Sequence, residues 1–410
     1  MEEIKIKLEG LQVGMFVSRL DRPWIELPLL IEGLLIESNN DIDLLKNYCE
    51  FVYINPHKGR PASPMYWIFE NDPSQIAPFE DNNYQKNQFT LLREENYQKS
   101  ATLFDEYNVA EKIYHDINEK ITKTFEDLKQ DKKLNIKALK QSVSETVNSV
   151  IRNPSAFRFV LELKKIDDYS YNHALATSVW CAQLGRHLGL NLDSLNQLAL
   201  GGLLLDIGKT QLPEELLHKK GKLTIEQINL FRTHVDKGIS LLLGNDELPH
   251  DVMRMIATHH ERNDGSGYPL GIKDKEIPIF GHIAGLIDSF DAMISPREHT
   301  PVILSPHRAI GKLYNLRGKI FHEDLVELFI QAVGIYPTGS LVELTTGEVG
   351  VVIEINGLKR LRPIIMLLLD QNKNPLGDFM PIDLSHRTEY SIEKGLESGA
   401  YGIKMDELFI

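Results

Sequence analysis

Cysteine is nearly absent: Cys49 and Cys181 are the only two in 410 residues. They lie far apart and make neither a disulfide framework nor a zinc-ribbon spacing, so a reducing compartment is the simple expectation. Long apolar runs are missing too. Stretches such as LALGGLLL at 198–205 fall far short of a membrane span. The opening MEEIKIKLEG is charged and alternating, unlike a secretory leader, and the expected location is the cytoplasm. Positive charge is in deficit, with a formal net charge of −13. An acidic chain repels a phosphate backbone, which disfavours DNA as a partner. It still allows a small phosphate ligand held by a few local cations. What remains, 42% hydrophobic and 25% charged residues, is the balance of a globular protein. The length suggests two or three domains.

The periodicities divide the chain. Residues 1–57 read as a small α+β unit. Ile4 to Leu8 alternate as a strand, Gly14 to Val17 turn into another, Asp41 to Tyr48 suit a helix, and Phe51 to Ile54 make a compact strand. Residues 58–100 are polar and rich in Pro, Asn and Gln, the composition of a linker. Connecting helices are expected over 101–154, one to about Lys132 and one over 135–152. Helix follows helix over 155–335. From 336 to 410 the period changes to that of strands, with candidates at 340–344, 349–355 and 364–370, so the C-terminal end is a small β unit and tail. The fold class is therefore mainly α and multidomain. Lys359, Arg360 and Arg362 sit near a turn of the β unit and read as a solvated hairpin.

Several polar residues interrupt apolar helix faces in the middle region. His173 shares a stripe with Ala176, Thr177, Trp180 and Leu184. Asp206 closes a helix that Gly208 is placed to terminate. His234, His259 with His260, and Asp288 follow on later helices. Each alone is an ordinary core or surface residue. Together they are costly to bury unless paired or metal-bound. Nitrogen and carboxylate donors together suit iron, manganese or zinc.

The loop after His259-His260 completes the string HHExxDGxGYP at 259–269. This resembles the HD-GYP family, a branch of the HD superfamily of metal-dependent phosphohydrolases. The resemblance covers about 160–335 and extends to LLDIGKTQLPEELLHKKGKLT and to DSFDA. Residues 1–60 resemble the accessory domain often found before HD-GYP domains. The family implies a helical bundle around two divalent metals, iron or manganese, and hydrolysis of cyclic di-GMP. By motif, His173, Asp206 and Asp288 would hold the first metal, and Asp206, His234, His259 and His260 the second. Asp206 and Lys209 would be catalytic. Lys209, Gly265, Gly267, Tyr268, Pro269 and Arg297 would meet the substrate. Tyr169 stands where members with a third metal carry an acid, and Asp168 points about 100° away on a helix, so two metals are implied.

Three departures qualify this. Leu205 replaces the histidine of the family's His-Asp pair, which leaves the first metal site weaker or empty. His282 replaces a usual arginine. Arg297-Glu298-His299 stands where Arg-Pro-Tyr is usual. Among substitutes for the lost ligand, His282 lies about 120° from Asp288 and His187 about 21 Å along the helix from His173. His218 stays open. Two readings follow: an impaired cyclic di-GMP phosphodiesterase, or a catalytically inactive module that senses the nucleotide or binds a protein such as a diguanylate cyclase. The long helices at 101–152 are suited to a homodimer.

Overall fold

The computed structural model describes residues 3–22, 33–56, 58–60, 62, 94–130, 134–164, 169–297, 303–357, 359–377 and 380–407. Most of the expected linker lies outside these residues, as do Asp168, Glu298 and His299.

The N-terminal unit is an antiparallel sheet in the order β1-β4-β2-β3. Its strands are β1 (Ile4–Lys7), β2 (Phe16–Leu20), β3 (Leu34–Leu35) and β4 (Phe51–Ile54). Helix α1 (Asn39–Tyr48) begins two residues before the expected start. Ser38 precedes it, and Asp41 Oδ2 accepts from the Ser38 amide at 2.8 Å. The alternating strands put Ile6, Val17, Val52 and Ile54 inward, all fully buried.

Two long helices follow, α2 (Leu103–Lys129) and α3 (Ile136–Arg152). Thr102 and Asn135 cap them by accepting from the backbone three residues on. Buried Glu106 joins the pair: it takes both Arg152 nitrogens at 2.7 Å and Ser149 Oγ at 2.7 Å. A bidentate guanidinium offsets the cost of burying that carboxylate.

The helical body comprises α4 (Ala156–Leu163), α5 (Tyr169–Leu188), α6 (Leu192–Leu204), α7 (Glu214–Leu217), α8 (Ile225–Arg232), α9 (His234–Leu242), α10 (His250–Thr258), α11 (Ile279–Ile294), α12 (Pro306–Leu316) and α13 (Glu323–Val333). Helix α5 is its axis and is buried from His173 to Gly185. Its backbone approaches α6 closely at Gly202, where a Cβ would lie 2.9 Å from Ser178 Cα. Thr177 and Ser178 use that proximity to donate to the Gly202 and Ala199 carbonyls, each at 2.8 Å. Trp180, Phe290 and Phe329 meet edge to face behind the helix.

The C-terminal sheet has the order β8-β7-β6-β5-β9. Strands β5 (Leu341–Leu344), β6 (Val349–Glu354) and β7 (Ile364–Leu369) match the expected runs. Strands β8 (Pro381–Asp383) and β9 (Ile392–Gly395) are short and polar, and carry no apolar alternation to announce them. Residues 359–362 are not simply the solvated hairpin that their local pattern suggests. Lys359 Nζ lies 2.6 Å and Arg362 Nε 3.1 Å from Glu37 of the N-terminal unit. These cations join two ends of the chain, a pairing that local pattern does not carry. Among the described residues no helix is long and apolar enough to cross a membrane.

Candidate metal centre

The first group of donors gathers where α5, α11 and the end of α6 meet. His173 is 1% exposed. Its Nε2 lies 3.2 Å from Asp288 Oδ1 and 3.3 Å from Asp206 Oδ2. Its Nδ1 donates to Asp291 Oδ2 at 2.7 Å. Asp291 stands one helical turn after Asp288 and is 1% exposed, so the DSFDA segment supplies both a converging carboxylate and the group that orients its neighbour. Asp291 does not stand out from sequence motif alone. The i, i+3 spacing of two acids on an otherwise apolar helix was the available signal.

The second group gathers on the other oxygen of Asp206. His234 Nε2 is 3.3 Å and His259 Nε2 3.9 Å from Asp206 Oδ1. His260 Nε2 is 3.2 Å from His234 Nε2. Helix α6 ends at Leu204, and a 3-10 turn (Ile207–Gln211) follows Asp206. Gly208 lies within that turn, not in a left-handed conformation, so it is not the helix terminator that the sequence suggests. A Cβ there would sit 1.9 Å from the His234 carbonyl oxygen and 2.3 Å from the Gly238 amide. Its role is to let Asp206 and α9 approach. Helix α11 closes the far side through Gly285, where a Cβ would lie 2.7 Å from the His259 carbonyl oxygen.

In each of the two groups, Asp206–His234–His259–His260 and His173–Asp206–Asp288, the donor atoms lie within 4.8 Å of one another. The donor set fits cations. His234 Nδ1 donates to the Phe231 carbonyl at 2.8 Å, and His259 Nδ1 to that of Ile256 at 2.7 Å. Those bonds place the protons on Nδ1 and leave Nε2 bare. Bare nitrogens then face a carboxylate oxygen, acceptor against acceptor. Buried Asp206 Oδ1 and His259 Nε2 have no hydrogen-bond partner among the described residues. Buried acceptors without donors are costly, and divalent metals satisfy them.

The electrostatics agree. Burial pushes the imidazoles of His234, His259 and His260 down, His234 to about 4, so they are neutral and able to ligate. Burial opposes ionisation of Asp206 and Asp288. The cation of Lys209 and the imidazoles around Asp206, and the hydrogen bond from His173 to Asp288 with His260 nearby, outweigh it and hold both carboxyls below the usual range.

The GYP loop packs over the second group. The Tyr268 ring stacks on His260 with centroids 4.5 Å apart. Buried Glu261 Oε1 accepts from the amides of Leu270 and Gly271, at 2.7 and 3.2 Å, and so ties the loop down. Gly265 has φ +80°, and a Cβ on Gly267 would lie 2.4 Å from Glu261 Cα. The Tyr268–Pro269 peptide is cis. Lys209 Nζ pairs with Asp206 Oδ2. Tyr169 stacks on His173 at 5.1 Å and brings no carboxylate. Burial raises the pKa of the Tyr169 hydroxyl, against the opposing pull of His173, Lys209 and Arg297.

Leu205 is 1% exposed and belongs to the apolar core. His282 Nε2 donates to the Asp274 carbonyl at 3.0 Å, and its ring meets His322. His218 is exposed at the end of α7. None of the three, nor His187, belongs to the converging groups.

Comparison with known proteins gives these features a family. The HD domain profile matches residues 123–322, and a KOW domain associated with HD domain matches 341–402. A domain of unknown function (DUF3391) matches 3–139. A cyclic di-GMP phosphodiesterase of Pseudomonas aeruginosa is 28% identical over 386 residues, 91% of this chain and 87% of that protein. A cyclic di-GMP phosphodiesterase of Thermotoga maritima is 33% identical over 167 residues, 40% of this chain and 45% of that protein. A 3′3′-cGAMP-specific phosphodiesterase of Vibrio cholerae is 31% identical over 160 residues, 39% of this chain and 30% of that protein. With the HHExxDGxGYP string folded against the clustered histidines and aspartates, residues 123–322 form an HD domain of the HD-GYP type.

Proposed function

We propose that the protein is a metal-dependent phosphodiesterase that opens cyclic di-GMP. The observation that carries this reading is the convergence of His173, Asp206, Asp288, His234, His259 and His260 into two donor groups sharing Asp206. The relative from Pseudomonas aeruginosa, alike over most of both chains, supports the substrate class.

His173, Asp206 and Asp288 would hold one divalent ion, and Asp206, His234, His259 and His260 the other. Nitrogen–carboxylate donors suit iron or manganese. When bound, the metals lower the pKa of water and neutralise phosphoryl oxygens. Lys209, beside Asp206, adds a cation where charge grows on the reacting phosphate. Asp291 keeps His173 Nε2 turned toward Asp206 and Asp288, the donors that would share an ion with it. Tyr268 and the glycines of the loop shape the substrate side of the second.

Leu205 gives the first group three protein donors against four in the second. That makes the first ion the weaker bound and leaves the shared Asp206 and the second group in place. The inactive reading rested on Leu205, His282 and Glu298. The gathered donors and the named phosphodiesterases among the relatives favour the catalytic one.

The test is product analysis. Manganese-loaded protein is expected to convert cyclic di-GMP to the linear dinucleotide or GMP. Preferential cleavage of 3′3′-cGAMP would overturn the substrate assignment, and cleavage of neither would overturn the enzymatic one.

A further inference from the structure

Cations beside the donor groups differ in what they already bind. Arg262 is spent inside the protein. Its Nη1 donates to the His259 and Glu261 carbonyls at 3.0 and 2.7 Å, its Nη2 to Ser289 Oγ at 3.1 Å, and its plane meets the Phe321 ring. Lys209 pairs with Asp206. Arg232 is exposed and makes no hydrogen bond or ion pair among the described residues. Yet it is not adrift. Its guanidinium carbon lies 4.8 Å from the centre of the Tyr268 ring, which itself stacks on His260.

The backbone holds it there. Arg232 is the last residue of α8, two before His234. Thr233 Oγ1 donates to the Leu230 carbonyl at 2.7 Å, and His234 Nδ1 to that of Phe231 at 2.8 Å. The end of α8 is thus tied to a candidate metal ligand, while the helix buries no side chain of its own. Stacking on a tyrosine face uses the plane of a guanidinium and leaves its N–H edges for an anion. In a chain of net charge −13, such an uncommitted fork beside the site is a local exception to the general repulsion of phosphate.

A cyclic dinucleotide carries two phosphodiesters on one ring. When one lies on the donor groups, the other must lie to a side of them. We propose that Arg232 binds the phosphodiester that is not being cleaved, a role that rests on the phosphodiesterase reading. Arg232 then acts in binding and orientation, not in the bond-breaking step.

The experiment is steady-state cyclic di-GMP hydrolysis by the full manganese-loaded chain, with metal content measured, for wild type, Arg232→Ala and Arg232→Lys. The alanine variant is expected to raise KM about tenfold or more, the loss of a charge-assisted hydrogen bond, with kcat within about threefold. Its metal content is expected to match wild type. The lysine variant is expected to fall between, as a point charge without the fork. An active wild type with an unchanged KM in Arg232→Ala overturns this inference and leaves the phosphodiesterase reading standing. A fall in kcat together with metal loss also overturns it, because the role would be structural. An inactive wild type overturns both.

Discussion

Asp291 Oδ2 accepts from His173 Nδ1 at 2.7 Å, and both side chains are 1% exposed. The contact fixes which nitrogen of His173 faces Asp288 and Asp206. Burial opposes a charged His173, but Tyr169 and the three carboxylates raise its pKa well above the ordinary imidazole range. A divalent ion at Nε2 would take the place of that proton.

Asp291→Ala is therefore expected to weaken the first metal and spare the second. Loss of such an orienting partner typically costs about 10–100-fold in metal affinity. Manganese titration followed by metal analysis should drop from two ions per chain toward one at limiting metal. Asp291→Asn, which still accepts from Nδ1, should recover part of the loss. Equal affinity in all three proteins would contradict the assignment.

Leu205→His tests the missing ligand. The side chain is buried in the core. An imidazole there without a partner costs about 1–3 kcal/mol. Chelated Leu205→His should melt below chelated wild type. Added manganese should then raise its Tm by more than it raises that of wild type, because binding to the folded state adds stability. An equal or smaller rise would mean that position 205 does not face the metal.

Gly208→Ala should damage fold and site together. Its Cβ would meet backbone atoms at 1.9 and 2.3 Å, and backbone cannot swing aside as a side chain does. A clear fall in Tm and loss of metal at the second group are expected. Gly311→Ala is the control. It lies within α12, and its Cβ would meet nothing within 4 Å among the described residues. It should stabilise the protein by roughly 0.5–1 kcal/mol. The opposite order of the two in urea titrations would contradict the packing account.

Glu343 gives the C-terminal sheet an acid sensitivity. Lys373 donates to it at 2.8 Å, with Tyr401 at 2.9 Å and Lys394 alongside, and together they bring its pKa down to about 2. A depressed carboxylate pKa adds stability that is complete above the unfolded value, near 4.5, and fades as pH falls toward 2. The Tm gap between wild type and Glu343→Gln should be widest at neutral pH and shrink between pH 4.5 and 3. A gap independent of pH would refute it.

Much of this was legible in the sequence because the cause was local. Strand alternation at 4–8 and 51–54, helix periodicity over 103–152 and the turn glycines of HHExxDGxGYP each depend on near neighbours. The six candidate ligands were legible because polar residues interrupt apolar helix faces and because the string around them resembles the HD-GYP motif. The rest depends on distance in the chain. Glu37 meets Lys359 and Arg362 across some three hundred residues, and charge alone marks none of them as partners. Gly208 looked like a helix terminator because its real constraint, the backbone of α9, arrives only in three dimensions. Arg232 gave no signal, since its meaning lies in a ring that reaches it from the GYP loop.

The central claim is that Asp206 belongs to both donor groups and that the metal-loaded protein would open a cyclic dinucleotide. Its most direct test is metal stoichiometry and cyclic di-GMP turnover, measured on anaerobically purified protein supplied with Fe(II) or Mn(II), beside Asp206→Ala. The account predicts two ions and hydrolysis in wild type, and loss of both metal and hydrolysis in a folded variant. Unchanged metal content and turnover in Asp206→Ala would contradict it.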